Sequence, residues 1–246
     1  MFKTGLEALV EKTSGAAERA IKRFYTSGNV AAANRIARTP GVLKPAIPGT
    51  PASMGSQLAH LGSGMEGTST LVAHPTHGVS VRKVYDPKGV SGPQMVANKR
   101  DAGLALSGNP DVAQFLGEAS TRIGPAHFYE HVKGSPGFAA GSKPQDVVNR
   151  VADSGKRMGV QLNDLHPGNV VGGKVVDYFP TLKGRDLGFN WNAVDLADDA
   201  QAALDVGKPH PYTNYLRDPR RPGNLMARAA KGAPPLIPGS SPPVLK

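Results

Sequence analysis

Between residues 163 and 179 the chain reads Asn-Asp-Leu-His-Pro-Gly-Asn, then Val-Val-Gly-Gly-Lys-Val-Val, then Asp-Tyr-Phe. Gly172 and Gly173 sit between two β-branched runs. A two-residue turn of this kind needs positive φ at both positions, which glycine adopts without strain, so a tight hairpin is predicted. The hairpin folds the loop on its N-terminal side back toward the segment on its C-terminal side. Asp164, Asn169 and Asp177 then share one loop–hairpin–loop. Two carboxylates and an amide supply oxygen ligands for a hard divalent cation and a carboxylate to take a proton.

The 246 residues suffice for one sizeable domain or a small two-lobed one. The net charge of +10 is uneven. Residues 1–60 hold eight Lys and Arg against three Asp and Glu, and residues 205–246 hold seven against two, while residues 61–204 hold fourteen of each. Basic flanks of this sort attract nucleic acid, acidic lipid or an acidic protein surface, or serve simply as solubilising tails. The absence of cysteine rules out disulfides, thiolate-bound metal and thiol catalysis, and is compatible with an intracellular protein. Glu7, Glu11 and Lys12 interrupt any signal-peptide core, and no apolar run is long enough to span a membrane. An intracellular, cytoplasmic location is therefore expected.

Apolar residues recur at helical spacing over 5–38, with a break at Ser27-Gly28-Asn29 and a second short helix over 30–37. Residues 39–56, rich in Pro and Gly, read as a linker or extended arm. Strands are expected at 71–74 and 79–85, with further candidates at 112–116 and 127–132. Helices are expected at 93–107 (Met95, Val96, Leu104 and Leu106 inward), 144–158 (Val147, Val148, Val151 and Met158 inward) and 193–206. The chain thus divides into basic helices (1–38), a linker (39–56), a core (57–134 and 135–206) and a basic tail (207–246) that carries most of the late prolines.

The order of features over residues 58–180 resembles the protein-kinase-like family. Asp164 to Asn169 keeps the Asp-x-x-x-x-Asn spacing of a kinase catalytic loop. Its Leu-His-Pro-Gly-Asn ending is similar to small-molecule kinases of the aminoglycoside and choline phosphotransferase type. Asp177-Tyr178-Phe179 resembles the metal-binding Asp-Phe-Gly. Gly62, Gly64 and Gly67 form a Gly-x-Gly-x-x-Gly run, and Lys83 ends a strand similar to Val-Ala-Ile-Lys. Residues 127–134 resemble the hinge after the fifth kinase strand.

The resemblance implies an α+β fold, with a β-rich first lobe over a short helical second lobe and a nucleotide cleft between. It implies ATP and Mg2+ as cofactors, with Gly62, Gly64 and Gly67 over the phosphates and Lys83 on them. Asp101 would align Lys83, and backbone groups of Glu130 and Val132 would hold adenine. Asp164 would be the base, with Asn169 and Asp177 on the metal. Ser69 stands where the family prefers valine, which shifts the expected adenine roof to Leu71 or Val72. His127, His131 and His166 read as packing or loop residues. The acceptor would be a hydroxyl of a protein or a small molecule. An Ala-Pro-Glu segment is absent. Asp195, Asp198 and Asp199 read as a solvated helix face or a receptor for a cationic substrate. Two other readings stay open: a pseudokinase scaffold without turnover, and a nucleic-acid-binding or assembly protein acting through its basic flanks.

Overall fold

The computed structural model describes residues 5–182, except 47–49, 65, 87–89, 122–123, 138–140 and 142. The helix expected at 193–206, the acids Asp195, Asp198 and Asp199, and the tail 207–246 lie outside the described residues. Two helices, α1 (Gly5–Thr26) and α2 (Val30–Arg38), precede three strands, β1 (Ser56–Ser63), β2 (Gly67–His74) and β3 (Gly78–Tyr85). Helix α3 (Pro93–Ala105) comes next, then β4 (Phe115–Thr121) and β5 (Gly124–Glu130). The second part holds α4 (Pro144–Arg157), β6 (Val160–Asn163), β7 (Val170–Val171), β8 (Lys174–Val175) and β9 (Phe179–Leu182).

Local chemistry explains the boundaries. Gly28 takes φ 87° after α1. The Asn29 side chain then accepts from the amide of Ala32 at 3.1 Å, an N-cap for α2. Pro93 and Pro144 stand at the first turns of α3 and α4, where a missing N–H costs nothing. At the 170–175 hairpin Gly172 and Gly173 take φ 55° and 87°, and Val170 pairs with Val175, as the Gly-Gly signal predicts.

Strands β1 to β5 form one antiparallel sheet in the order β1-β2-β3-β5-β4. Alternation along β3 sends Val79, Val81 and Lys83 to one face and Ser80, Arg82 and Val84 to the other. Helices α1 and α2 cover the outer end of the first face. Ala17, Ile21, Ala33 and Ala37 cluster there with Leu71, Ala73 and Val79. Each fully buried aliphatic side chain of Leu or Ile size stabilises such a contact by roughly 1.5–3 kcal/mol. Leu43, inside the expected linker, joins this cluster. The opposite face is covered by a short 3-10 turn, Pro51–Met54. Met54 packs on Val84 and Ala126, and its carbonyl accepts from the buried Arg82 Nη1 at 2.6 Å.

A further core joins α3 and Val112 to the second part of the chain. Val147, Val148 and Val151 of α4 meet Val160, Val170, Val175 and Tyr178. Two expected core residues are instead exposed: Leu104 is 58% exposed and Met158 43%. α3 turns Ala102 and Leu106 inward, and a residue two positions from each faces the other way at 3.6 residues per turn. Met158 caps the end of α4 rather than lying on its inner stripe. The strand expected at 112–116 begins only at Phe115; Val112 makes a single parallel bridge to Val175. Among the described residues no helix is long and apolar enough to cross a membrane.

Candidate active site

A cleft of about 320 Å³ opens between the sheet and the 170–175 hairpin, within the size range of small-molecule sites. Leu61, Ser69 and Val81 form its roof. Tyr129, Glu130, His131, Val132, Gly134 and Pro136 form one side, Val171 and Val176 the floor. Lys83, Lys99 and Asp177 close the far end. The cleft is therefore apolar in the middle, with backbone groups on one side and charge at one end.

The roof corrects one expectation. Leu71 does share a face with Ser69 and Lys83, because Ser69 pairs with Lys83 and Leu71 with Val81 across β2 and β3. It is covered by the N-terminal helices, however, and Val72 points to the opposite face. Leu61 takes the roof position because β1 carries two register shifts, one of them between His60 and Gly62. An extra residue in a strand flips which side chains face inward.

The side strand is fixed by contacts from both lobes. Glu130 holds Lys174 of the hairpin at 2.7 Å, and its amide donates to the Gln114 carbonyl at 2.8 Å. Gly134 and Gly172 pass backbone against backbone; a Cβ on Gly134 would stand 2.7 Å from the Gly172 nitrogen. The amide of Gly137 donates to the Val170 carbonyl at 2.8 Å. From the other side α1 reaches the same strand, where the Tyr25 hydroxyl lies 2.8 Å from His131 Nε2. Glu130 and Val132 thus line the cleft, while His131 is occupied by Tyr25 and His127 is 1% exposed beside Tyr85 and Phe115.

The charged end holds four groups. Lys83 Nζ donates to both oxygens of Asp177, at 3.0 and 2.8 Å, and also pairs with Glu66. Lys99 Nζ lies 2.8 Å from Glu66 Oε2 and 3.0 Å from Asp177 Oδ1. Burial alone would lower the Lys83 ammonium, yet the Asp177 and Glu66 carboxylates together hold it above the ordinary lysine value. Lys99 goes the other way: burial, and then the neighbouring Lys83 charge, outweigh the same two acids. Burial would raise the Asp177 carboxyl, but the two lysines hold it well below the usual carboxylate range.

Asp101 does not align Lys83. Its carboxylate lies on Arg100, 2.8 Å from Nη2 and 2.8 Å from Nε. Lys99 is the α3 residue aimed at Lys83, and two residues further along the helix the side chain has turned about 200° away. The acid that joins Asp177 on Lys83 is Glu66, within the glycine-rich run. A signal for Lys99 exists in the sequence, since Met95, Lys99, Ala102 and Leu106 keep the inward spacing of four, three and four. Glu66 carries no such periodicity.

The three glycines differ. Gly64 and Gly67 exchange backbone hydrogen bonds at 2.9 and 3.3 Å and close the turn between β1 and β2. Gly67 has φ 154°, and a Cβ there would sit 1.9 Å from the Val84 carbonyl oxygen, so only glycine lets β2 approach β3. Gly62 and Gly64 face open space. None of the three lines the cleft, which is bounded on that side by Leu61 and Ser69.

The loop of residues 163–169 lies beside the floor. The Asn169 amide donates to the Asp164 carbonyl at 3.0 Å, and the Val176 N–H donates to the Asn169 carbonyl at 2.9 Å. The closed hairpin thereby brings Asn169 next to Val176, one residue before Asp177. Asp164 is exposed and takes φ 57°, among the described residues the one non-glycine with positive φ. Aspartate tolerates this conformation better than most side chains, and such positions cluster at functional sites. His166 Nδ1 accepts from the Gly168 amide at 3.1 Å, a local turn contact that fits a loop residue. Asp164 and Asn169 do not line the cleft itself.

A five-stranded antiparallel sheet has a lysine on its third strand and a helix after that strand. A side strand leads down to a loop bearing Asp164, Asn169 and Asp177 beneath the same cleft. The described residues thus form a mixed α/β fold built on this five-stranded sheet. The sequence matches no protein-family model and no curated protein. Among solved structures it is similar to the Mycobacterium tuberculosis PknI kinase domain, at 17% identity and a TM-score of 0.39, covering 53% of this chain and 60% of that one. A double mutant of the same domain gives 19% and 0.42 over 54% and 63%, and a single mutant 19% and 0.41 over 54% and 62%. The chain spans about three fifths of the length of those kinase-like neighbours.

Proposed function

We propose that this chain is a compact phosphotransferase that moves the γ-phosphoryl group of ATP to a hydroxyl of a protein or small molecule. The observation that carries the reading is the bidentate contact of Lys83 with Asp177 at the closed end of an otherwise apolar cleft. Backbone groups of Glu130 and Val132 would receive adenine beneath Leu61 and Val81. Lys83 would exchange carboxylate oxygens for phosphate oxygens. Asp164 would take the proton of the acceptor hydroxyl as its oxygen bonds to the γ-phosphorus and the bond to ADP breaks.

Asn169 and Asp177 are oxygen donors at the two ends of one closed hairpin, a donor set that suits Mg2+. The ion, when bound, would neutralise charge on the phosphates. The remaining acceleration would come from orientation: Lys83 fixed by carboxylates, the side strand fixed by Lys174 and Tyr25, and the loop fixed by Asn169.

A second reading, nucleotide binding without turnover, draws support from Asp177, both of whose oxygens are held by lysines. Labelled ATP with Mg2+ and a panel of hydroxyl acceptors, the protein included, separates the two. Phosphotransferase action predicts label transfer that falls by about 10²–10⁴-fold in Asp164→Asn. Nucleotide binding with no transfer in either protein favours the scaffold. Exposed Arg19, Lys22 and Arg23 on α1 would serve either role as a landing surface for an acidic partner.

A further inference from the structure

The charges at the closed end stand in an unexpected order. Helix α3 presents a cation, Lys99, to the strand lysine, and the acid comes from the turn between β1 and β2 as Glu66. Each lysine touches both carboxylates, and each carboxylate touches both lysines. Lys99 is 3% exposed, Glu66 8%, and the Lys83 side chain 13%. Two ammonium groups this deeply buried persist side by side only if carboxylates stand between them. Glu66 Oε1 is buried with no hydrogen-bond partner, so the ammonium groups on Oε2 are what orient this carboxylate.

Removing either acid would leave two ammonium groups on one carboxylate. Removing Lys99 would leave two carboxylates competing for Lys83, which would then be pinned rather than presented. We propose that Glu66 and Lys99 are positioning residues for the phosphate end of the cleft. Glu66 aligns Lys83, and Lys99 takes up enough of the carboxylate charge on Asp177 and Glu66 to let Lys83 turn to a phosphate. The inference rests on the nucleotide-binding reading above and adds to it a relocated acid and a second lysine.

The test is calorimetric titration with Mg-ATP of the full chain and its variants, each checked first for a cooperative unfolding transition without ligand. Glu66→Gln and Lys99→Met are expected to weaken binding at least tenfold. Lys99→Arg, which keeps the charge, is expected to stay within about threefold of wild type. The exchange variant Glu66→Lys with Lys99→Glu restores an acid on the helix and is expected to regain most of the loss. Should the neutral variants fail to fold, Glu66→Asp decides: its carboxylate is drawn back by one methylene, and a loss of threefold or more is expected. Wild-type affinity in folded Glu66→Gln and Lys99→Met, or in Glu66→Asp, overturns the inference while leaving the nucleotide site standing. A tenfold loss in Asp101→Asn with none in Glu66→Gln overturns it equally. Absence of Mg-ATP binding by the wild type overturns the nucleotide reading itself.

Discussion

Lys83 and Asp177 are 94 residues apart in sequence and 2.8 Å apart in space, and their contact joins the sheet to the loop after the hairpin. The lysine is largely buried, its side chain 13% exposed, while that of the acid is 43% exposed. Asp177→Asn removes the charge and leaves Lys83 and Lys99 sharing Glu66. Losing one partner of a fully buried pair costs about 3–5 kcal/mol. With one partner this exposed, a loss of about 2 kcal/mol is expected. Urea unfolding without ligand measures it; an unchanged midpoint would show that the pair does not contribute to the fold.

The meeting of side strand and hairpin depends on two glycines. A Cβ on Gly172 would lie 2.2 Å from the Lys133 carbonyl oxygen, and φ there is positive. Gly172→Ala is therefore expected to cost about 2 kcal/mol or more, through both strain and displacement of the 133–134 backbone. Gly173→Ala meets nothing within 4 Å and is strained only by its φ, so it should cost clearly less. Equal losses in thermal unfolding would contradict the interlock.

Acid should weaken the fold before the carboxylates titrate. Burial, and then the neighbouring His77 charge, lower His74 to about 4, and its Nδ1 accepts from the amides of Thr76 and His77. Burial and the Lys99 charge lower His127 to about 3. Both are lowered relative to the unfolded value near 6.5, so the unfolded chain binds protons first as pH falls. Their stabilising contribution is complete above about pH 6.5 and declines toward about pH 4. Stability measured from about pH 7.5 to about pH 4.5 should fall steadily, and His127→Phe should show a shallower fall over that window. A flat profile in the wild type would contradict the buried neutral histidines.

The N-terminal helices should report on the cleft. Tyr25 meets His131 on the side strand, and Lys133 Nζ lies 3.4 Å from the Gly28 carbonyl. Tyr25→Phe removes one partly buried hydrogen bond, worth about 1 kcal/mol. A lowered melting temperature is expected, together with weaker protection of the 129–133 amides in hydrogen exchange. A drop in stability without any change at 129–133 would mean that the helices act on the sheet alone.

The features legible in the sequence obey short-range rules. Gly172-Gly173 predicted its turn, and alternation from Val79 put Lys83 on the cleft side and Arg82 on the other. Asn169 and Asp177 come to neighbouring places because the hairpin closes between them, and the Asn169 side chain ties in the Asp164 backbone. Glu66 was hidden inside a glycine run, where spacing carries no information about facing. Lys99 lay on the inner stripe of α3, but a buried cation makes sense only once two distant acids are seen beside it. Leu61 is not legible because bulges in β1 break the alternation that would have marked it. The docking of α1 on the sheet is likewise a tertiary fact: its apolar inner residues, Ala17 and Ile21, would suit many apolar surfaces.

The measurement that bears most directly on the central claim is thermal unfolding with and without Mg-ATP, for the wild type and Asp177→Asn. Ligand at about a hundredfold its dissociation constant stabilises a fold by roughly 2.7 kcal/mol, or roughly 5–10 °C for a domain of this size. The account predicts a magnesium-dependent rise of that order in the wild type and little or none in Asp177→Asn, each judged against its own ligand-free transition. No rise in the wild type at millimolar Mg-ATP would contradict a nucleotide cleft closed by Lys83 and Asp177.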